Sequence, residues 1–497
     1  MLEYVKSAHD RLYIDGVWTA PRDGRLVEVI NPVTEEPIAQ AALGGPADID
    51  RAVRSARAAF DAGPWAESTA SQRAAIMIRA GELIAARADE FARLLTLEVG
   101  SPQAVASVQP IAARMFLDWH AAQASTFPWE EEREGVLGPI LVRRPPVGVV
   151  GAIVPWNYPL GLSFPKLAPA LLTGCTVVLK PPEETPLFGS LLAEVFEEAG
   201  LPPGVLNVVA ADREVSEELV RHPLVDKISF TGSTRAGRRI AALCGERLKR
   251  CGLELGGKSA AILLPGADLD TVIPALAPST MANNGQTCIN QTRVLAPLEA
   301  YATVVEALRE TIGAFRVGDP ADPAVDVGPL ISDVQRARVE AYIAKGCGEG
   351  ARLVLGGGRG GHHRGYFVEP TIFDRVDNTM TIAREEIFGP VAAVIPYEDV
   401  DEAIAIANDS EFGLSGTIWS SDDDEAMRIA RQVRTGTLTV NGFIFEFNCP
   451  MGGMKSSGLG REMGPEGLSA YLEYKTVSLP AKGSSGIFGT ETESGDQ

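Results

Sequence analysis

Histidine and cysteine are scarce: five of the first and six of the second in 497 residues. The histidines make no HExxH or HxxxH spacing, and the adjacent His362 and His363 would point to opposite faces of a strand. The sequence therefore offers no metal site of that kind. Cys175, Cys244, Cys251, Cys288, Cys347 and Cys449 are scattered, with no CxxC pair. That excludes a disulfide scaffold and fits free thiols in a reducing compartment, so a cytoplasmic location is expected. Positive charge is also short. Lys and Arg number 45 against 65 Asp and Glu, a net charge of −20, which argues against nucleic-acid or anionic-membrane binding. The opening stretch MLEYVKSAHDRLYIDG lacks the basic and apolar regions of a secretion signal. The longest uncharged run, 145–165, carries Pro145, Pro146, Pro155, Pro159 and Pro165, too many for a membrane-spanning helix. No repeat of 20–50 residues is visible.

What remains is a soluble-type composition, 45% hydrophobic and 22% charged, in a chain long enough for two to four domains. Helical spacing runs over 48–62 and 71–97. Apolar strand-like runs follow at 147–155, 175–181, 205–210 and 227–233, with helices expected at 164–172 and 187–200. A second series has strands at 259–265, 293–297, 392–397, 415–420 and 437–441, and helices at 298–314, 399–408 and 422–434. Strand alternating with helix predicts parallel α/β sheets, here in two domains that meet near LELGGKS, 253–259. The segments 139–146 and 475–480 read as β-strands outside both series, able to pair with each other or with a partner subunit. The tail 483–497 is expected to be disordered. Gly356, Gly358 and Gly361 match a GxGxxG pattern, but HHRGYFVEP follows. A dinucleotide fingerprint needs a helix there, so the segment reads as a turn.

One cysteine stands in unusual company. Cys288 lies in NNGQTCINQTR among glycine, amides and hydroxyls, whereas a structural thiol behaves as a small hydrophobe. Other segments hold polar groups where chemistry could use them. PWNYP places Asn157 inside an apolar run, and LKPPEETP closes a strand with Lys180 and Glu183. FTGSTRAG turns from strand to helix through Gly232, Ser233 and Gly237, a shape that can cradle phosphate. LELGGKS carries Glu254 beside two glycines, and EEIFGP places Glu386 and Phe388 before a Gly-Pro turn.

Taken together, PWN, KPPEETP, FTGST, LELGGK, GQTCINQTR, EEIFGPV and PMGGMKSSGLGRE resemble, in order, the motifs of the aldehyde dehydrogenase superfamily, from about residue 10 to 480. One departure is Met451, where the family usually has phenylalanine; its volume is similar. The resemblance implies an α/β fold of two Rossmann-like open-sheet domains plus a small β oligomerisation element. In residue ranges, 1–125 and 147–256 would bind NAD, 257–455 would be the catalytic domain, and 126–146 with 470–482 would join subunits into a homodimer or homotetramer.

The resemblance also implies roles. Cys288 would attack an aldehyde, with Asn157 and the Cys288 backbone N–H stabilising the oxyanion. Glu254 would activate the water that hydrolyses the thioester, and Lys166 and Glu462 would pass its proton outward. Ile153, Val154, Pro155, Trp156 and Leu255 would line the cofactor cleft. Lys180 and Glu183 would hold the adenosine ribose, Gly232 and Ser233 the pyrophosphate, and Glu386 and Phe388 the nicotinamide end. The cofactor would be NAD, with NADP weaker. Trp156, Tyr158, Leu162, Ile289, Phe443 and Phe445 would line a substrate tunnel, widened by Pro165. Their apolar character and lack of a cation point to an uncharged hydrophobic aldehyde. A CoA-acylating semialdehyde dehydrogenase would lack Glu254, and a cysteine hydrolase would need a histidine near Cys288. Both remain alternatives.

Overall fold

Four segments, Val149–Ile153, Thr176–Lys180, Leu206–Val208 and Lys227–Thr231, are buried at every residue, the first three of them rich in Val and Leu. Strands of that kind belong inside a parallel sheet covered on both faces. In the computed structural model, which describes residues 9–136 and 138–478, they form the centre of an eight-stranded sheet. Its order is Gly458–Leu459, Arg250–Glu254, Lys227–Thr231, Val149–Ile153, Thr176–Lys180, Leu206–Val208, Leu12–Ile14 and Val17–Thr19. The five inner strands pair in parallel, and the outermost pairings at each edge are antiparallel. After Val149–Ile153 the chain winds first to one side and then to the other, so the order switches between this strand and Lys227–Thr231. Open α/β sheets bind ligands in the crevice at such a switch, outside the C-terminal strand ends. Here those ends are Ile153 and Thr231.

The second sheet has seven strands, in the order Arg352–Leu355, Thr371–Asp374, Val391–Tyr397, Arg293–Pro297, Ala260–Leu263, Gly416–Trp419 and Thr439–Val440. All its pairings are parallel except the first. A third sheet joins Glu130–Gly135, Gly138–Arg143 and Lys475–Ser478 antiparallel, with Lys475 opposite Arg143. The two isolated β segments thus pair with each other within the chain.

Several expectations are corrected. The single helix expected over 71–97 is two, Ala70–Ala86 and Ala88–Val99, broken at Arg87, whose φ of −107° and ψ of 18° leave the helical region. The strand expected over 437–441 pairs only at Thr439–Val440. Gly458–Leu459, just beyond the 257–455 range read as the catalytic domain, adds an edge strand beside Leu253 and Glu254 of the first sheet. No helix follows the glycines at 356–361, in keeping with a turn. The tail 483–497 lies outside the described residues.

Candidate active site

The strand Val149–Ile153 runs out into Val154, Pro155, Trp156 and Asn157 at the switch point. Asn157 is 3% exposed and needs partners for its amide. Its Nδ2 donates to the Gln286 carbonyl at 2.8 Å, using one of two N–H donors. Its own carbonyl accepts from Asn283 Nδ2 at 2.9 Å, and the Tyr158 hydroxyl lies 2.8 Å from Thr287 Oγ1. The loop of the first domain is therefore bonded three times to the loop that carries Cys288.

That second loop leaves the helix Leu269–Met281 through Asn283, Asn284 and Gly285, with φ of 52°, 61° and 77°. Left-handed backbone suits Asn and Gly. The asparagine side chains then tie the turn down. Asn283 Oδ1 accepts from Ser101 Oγ at 2.7 Å, and Asn284 Nδ2 donates to the carbonyls of Gly100 and Pro329 at 2.9 and 2.8 Å. Gly285 has no alternative, because a Cβ there would sit 1.9 Å from the Gly389 carbonyl carbon.

Cys288 is half-buried at the floor of a cavity of about 610 Å³. Burial, then Glu386 and Glu254, pushes its thiol up to about 12, while the N–H groups of Cys288 and Ile289 pull the other way. The resting group is a neutral thiol. The two glycines after Leu255 make room: a Cβ on Gly257 would meet the Cys288 carbonyl at 2.4 Å, and one on Gly256 would meet Glu386 Oε2 at 2.3 Å. Gly257 N–H donates to Glu386 Oε1 at 3.0 Å. Burial lifts the Glu386 carboxyl to about 6, against that hydrogen bond.

Glu254 ends the strand Arg250–Glu254 and is 7% exposed. Its Oε2 is buried without a protein hydrogen-bond partner. Burial, followed by the neighbouring Glu462, holds its carboxyl well above the usual range. Behind it, Lys166 Nζ bridges Glu462 Oε1 at 2.5 Å and Thr231 Oγ1 at 2.6 Å. The structure thus brings Glu254, Lys166 and Glu462 into one buried charged group.

Ile153, Val154, Pro155, Trp156, Lys180, Glu183, Gly232, Ser233, Leu255, Glu386 and Phe388 all line the cavity with Asn157 and Cys288. Ser233 caps the helix Thr234–Glu246, its side chain accepting from Ala236 N–H at 3.3 Å. The helix start faces the cavity, a favourable seat for a phosphate. Trp156 and Phe388 meet edge to face, centroids 5.3 Å apart, and Phe388 holds a φ of 63°, strain of the kind kept at functional sites. Burial lowers Lys180 to about 8, while burial, Glu184 and Asp212 raise Glu183. The residues present fit a dinucleotide.

Tyr158, Leu162, Ile289, Phe443 and Phe445 do not line this cavity. Phe443 and Phe445 are 36% and 38% exposed, on a loop where Phe445 packs against Phe447 and Phe447 against Phe116. Pro165 is buried in the helix Phe164–Thr173. The sequence reading missed Gln335 and Arg338, from the helix Asp333–Gly348. They line the cavity and donate to the carbonyls of Phe388, at 3.0 Å, and Glu386, at 2.6 Å. Nothing in VQRAR separates them from an ordinary solvated helix face.

A cleft lined by residues that fit a dinucleotide, with a cysteine loop from the second domain at its wall, suits a dehydrogenase. The match to the aldehyde dehydrogenase family model covers residues 18–477, and the chain belongs to that family. It is 48% identical to geranial dehydrogenase of Castellaniella defragrans, over 95% of this chain and 99% of that protein. It is 44% identical to 3-succinoylsemialdehyde-pyridine dehydrogenase of a Pseudomonas species, over 94% and 97%. Among solved structures, an aldehyde dehydrogenase of Mycobacterium tuberculosis complexed with NAD+ superposes with a TM-score of 0.93 at 49% identity, covering 95% and 98%. A mutant of aldehyde dehydrogenase C from Pseudomonas syringae, in complex with NAD+ and octanal, gives 0.92 at 41%, covering 94% and 96%.

Proposed function

We propose that this enzyme oxidises an uncharged, hydrophobic aldehyde to its carboxylic acid with NAD. The observation that carries the reading is the seating of Cys288 in the same cavity as the cofactor-type residues, with Asn157 bonded to its loop. The Cys288 thiol gives its proton to water in the cavity as its sulfur bonds to the aldehyde carbon, which yields a thiohemiacetal with the charge on the former carbonyl oxygen. Asn157 Nδ2–H and the Cys288 N–H hold the oxyanion, donors typically worth about 3–4 kcal/mol each in such sites. NAD, when bound, supplies the acceptor for the hydride that leaves the carbon. Cys288 then carries a thioester, and Glu254 takes a proton from the water that attacks it. The geranial and octanal named for two similar proteins support a hydrophobic substrate. No histidine lines the cavity, which disfavours a cysteine hydrolase.

The test is NADH formation across a panel of aldehydes, with and without CoA. Medium-chain aliphatic and terpenoid aldehydes should give the highest kcat/KM, with no stimulation by CoA. A requirement for CoA, or a preference for carboxylated semialdehydes, would overturn the reading.

Cofactor choice gives a second expectation. Glu183 stands with Glu184 and Asp212 as electrostatic neighbours, opposed by Lys180 and Arg213. A 2′-phosphate about 4 Å from Glu183 would cost roughly 4 kcal/mol at an effective dielectric near 20, less with solvent at the cleft mouth. NAD should therefore be preferred to NADP by about one to two orders of magnitude in kcat/KM. Glu183→Gln should narrow the gap. Equal values in the wild type, or an unchanged ratio in the variant, would remove Glu183 from that role. We propose the three-stranded sheet as the element that joins subunits into a homodimer or homotetramer.

A further inference from the structure

Two of the free cysteines stand against each other. Cys244 lies near the end of the helix Thr234–Glu246 and is buried, while Cys251 is the second residue of the strand Arg250–Glu254 and is half-buried. Both pack into one apolar cluster between that helix and the sheet, and their thiols share a hydrogen bond. The turn between them holds the contact. Lys249 N–H donates to the Cys244 carbonyl at 2.9 Å, and Lys249 Nζ donates to the carbonyls of Val220 and His222 at 2.6 and 2.9 Å. Leu248 is 94% exposed with a φ of 54°. A leucine keeps that left-handed backbone only where its surroundings impose it. The two thiols are unequal. The bond from Cys244 lowers the Cys251 thiol, burial opposes this, and the Lys227 ammonium adds to the lowering. The same bond, followed by burial, raises Cys244. Cys251 is therefore the sulfur that ionises and that solvent reaches, with Cys244 poised behind it to resolve. Both elements also serve the cofactor cavity. Arg235, Ala236, Arg239, Ile240 and Leu243 of the helix line it, Leu243 being next to Cys244.

We propose that Cys244 and Cys251 are a redox couple, a dithiol that a hydroperoxide closes to a disulfide, and that closure weakens NAD binding in the adjoining cavity. The Cys251 thiolate bonds to one oxygen of hydrogen peroxide and the O–O bond breaks. The departing hydroxide regains the proton that Cys251 lost and leaves as water, with a sulfenic acid on Cys251. The Cys244 sulfur then bonds to the Cys251 sulfur and the S–O bond breaks. The hydroxyl leaves with the Cys244 proton as a second water. The two sulfurs together lose two electrons and the peroxide gains them. Closure brings the sulfurs from hydrogen-bond range to about 2.05 Å. The end of the helix, carrying Leu243, is drawn towards the strand, and the wall of the cavity moves with it. A thiol reductant reopens the bond.

The test treats the whole protein with hydrogen peroxide, blocks the remaining thiols and digests it with trypsin. Cleavage at Arg239, Arg247, Arg250 and Lys258 puts the two cysteines in separate peptides, 240–247 and 251–258. Mass spectrometry should find these joined, and dithiothreitol should part them. NAD affinity is read by fluorescence titration, which needs no turnover and so does not depend on Cys288 chemistry. The Kd for NAD should rise at least about fivefold on oxidation, the low end of couplings between sites, and return on reduction. Cys244→Ala and Cys251→Ala should each bind NAD like the reduced wild type and keep that affinity after peroxide. Because Cys288 is present in both variants, a loss of affinity there would trace the effect to Cys288 and overturn the switch. So would a joined pair with unchanged Kd. Peroxide that oxidises the exposed Cys347 and Cys449 yet leaves 240–247 and 251–258 unjoined, or drives Cys251 to a sulfinic acid instead, would overturn the redox couple itself.

Discussion

Cys288→Ala should abolish NADH production, at least a hundredfold below wild type, while the protein folds and still binds NAD. The proposed route to product passes through a bond to the Cys288 sulfur, and alanine cannot make that bond. Folding should survive because the change is small and electrically silent. Cys288 is half-buried in a loop outside the hydrophobic clusters, and its resting thiol, raised to about 12, carries no charge to lose. Stability losses of about 1 kcal/mol would move Tm by only about 2–4 °C in domains of this size. Steady-state NADH formation, a thermal melt and a fluorescence titration with NAD check the three parts. Activity above a hundredth of wild type would remove Cys288 as nucleophile. Serine or alanine at Cys175, Cys244, Cys251, Cys347 or Cys449 should leave the chemistry intact, since none lines the cavity.

Glu254→Gln should separate the two halves of the reaction. Water activation by a placed carboxylate is typically worth about 10²–10⁴ in rate, so the amide should give one NADH per site and then a steady state slower by a factor in that range. Stopped-flow absorbance resolves the burst. Loss of burst and turnover together would place Glu254 before hydride transfer, and unchanged turnover would exclude both roles. The pH dependence has a definite sign. Burial and Glu462 raise the Glu254 carboxyl, and a base works only when deprotonated. The wild-type steady-state rate should therefore rise with pH until Glu254 has lost its proton, and fall as pH drops through that raised pKa. In Glu254→Gln this limb should vanish. Its persistence would assign it to another group, such as Glu386, a raised carboxyl that lines the cavity.

How much of this was legible in the sequence depended on the kind of signal. The inner strands of both sheets stood out because burial on both faces makes them nearly continuous apolar runs, and Arg293–Pro297 matches its expected span. The helix Leu269–Met281 was hidden by Pro274 and Pro278 inside it. The antiparallel hairpin Leu26–Asn31 with Glu36–Ala42 escaped because its exposed and buried residues follow no clean alternation. The edge strand Gly458–Leu459 is two residues long and pairs with a strand some two hundred positions earlier, a relation that no local pattern carries. Within the site, Asn157, Glu254 and Cys288 were conspicuous as polar groups among apolar or glycine-rich neighbours. Gln335 and Arg338 were not, since their contribution lies in which carbonyls they reach.

The left-handed turn at Asn283 and Asn284 has a mechanical consequence. Its side chains hold Ser101, Gly100 and Asn157 on one side and Pro329 on the other, so the loop carrying the sulfur also serves as a clasp between the two lobes. The position of the sulfur and the joining of the two lobes therefore rest on the same few bonds.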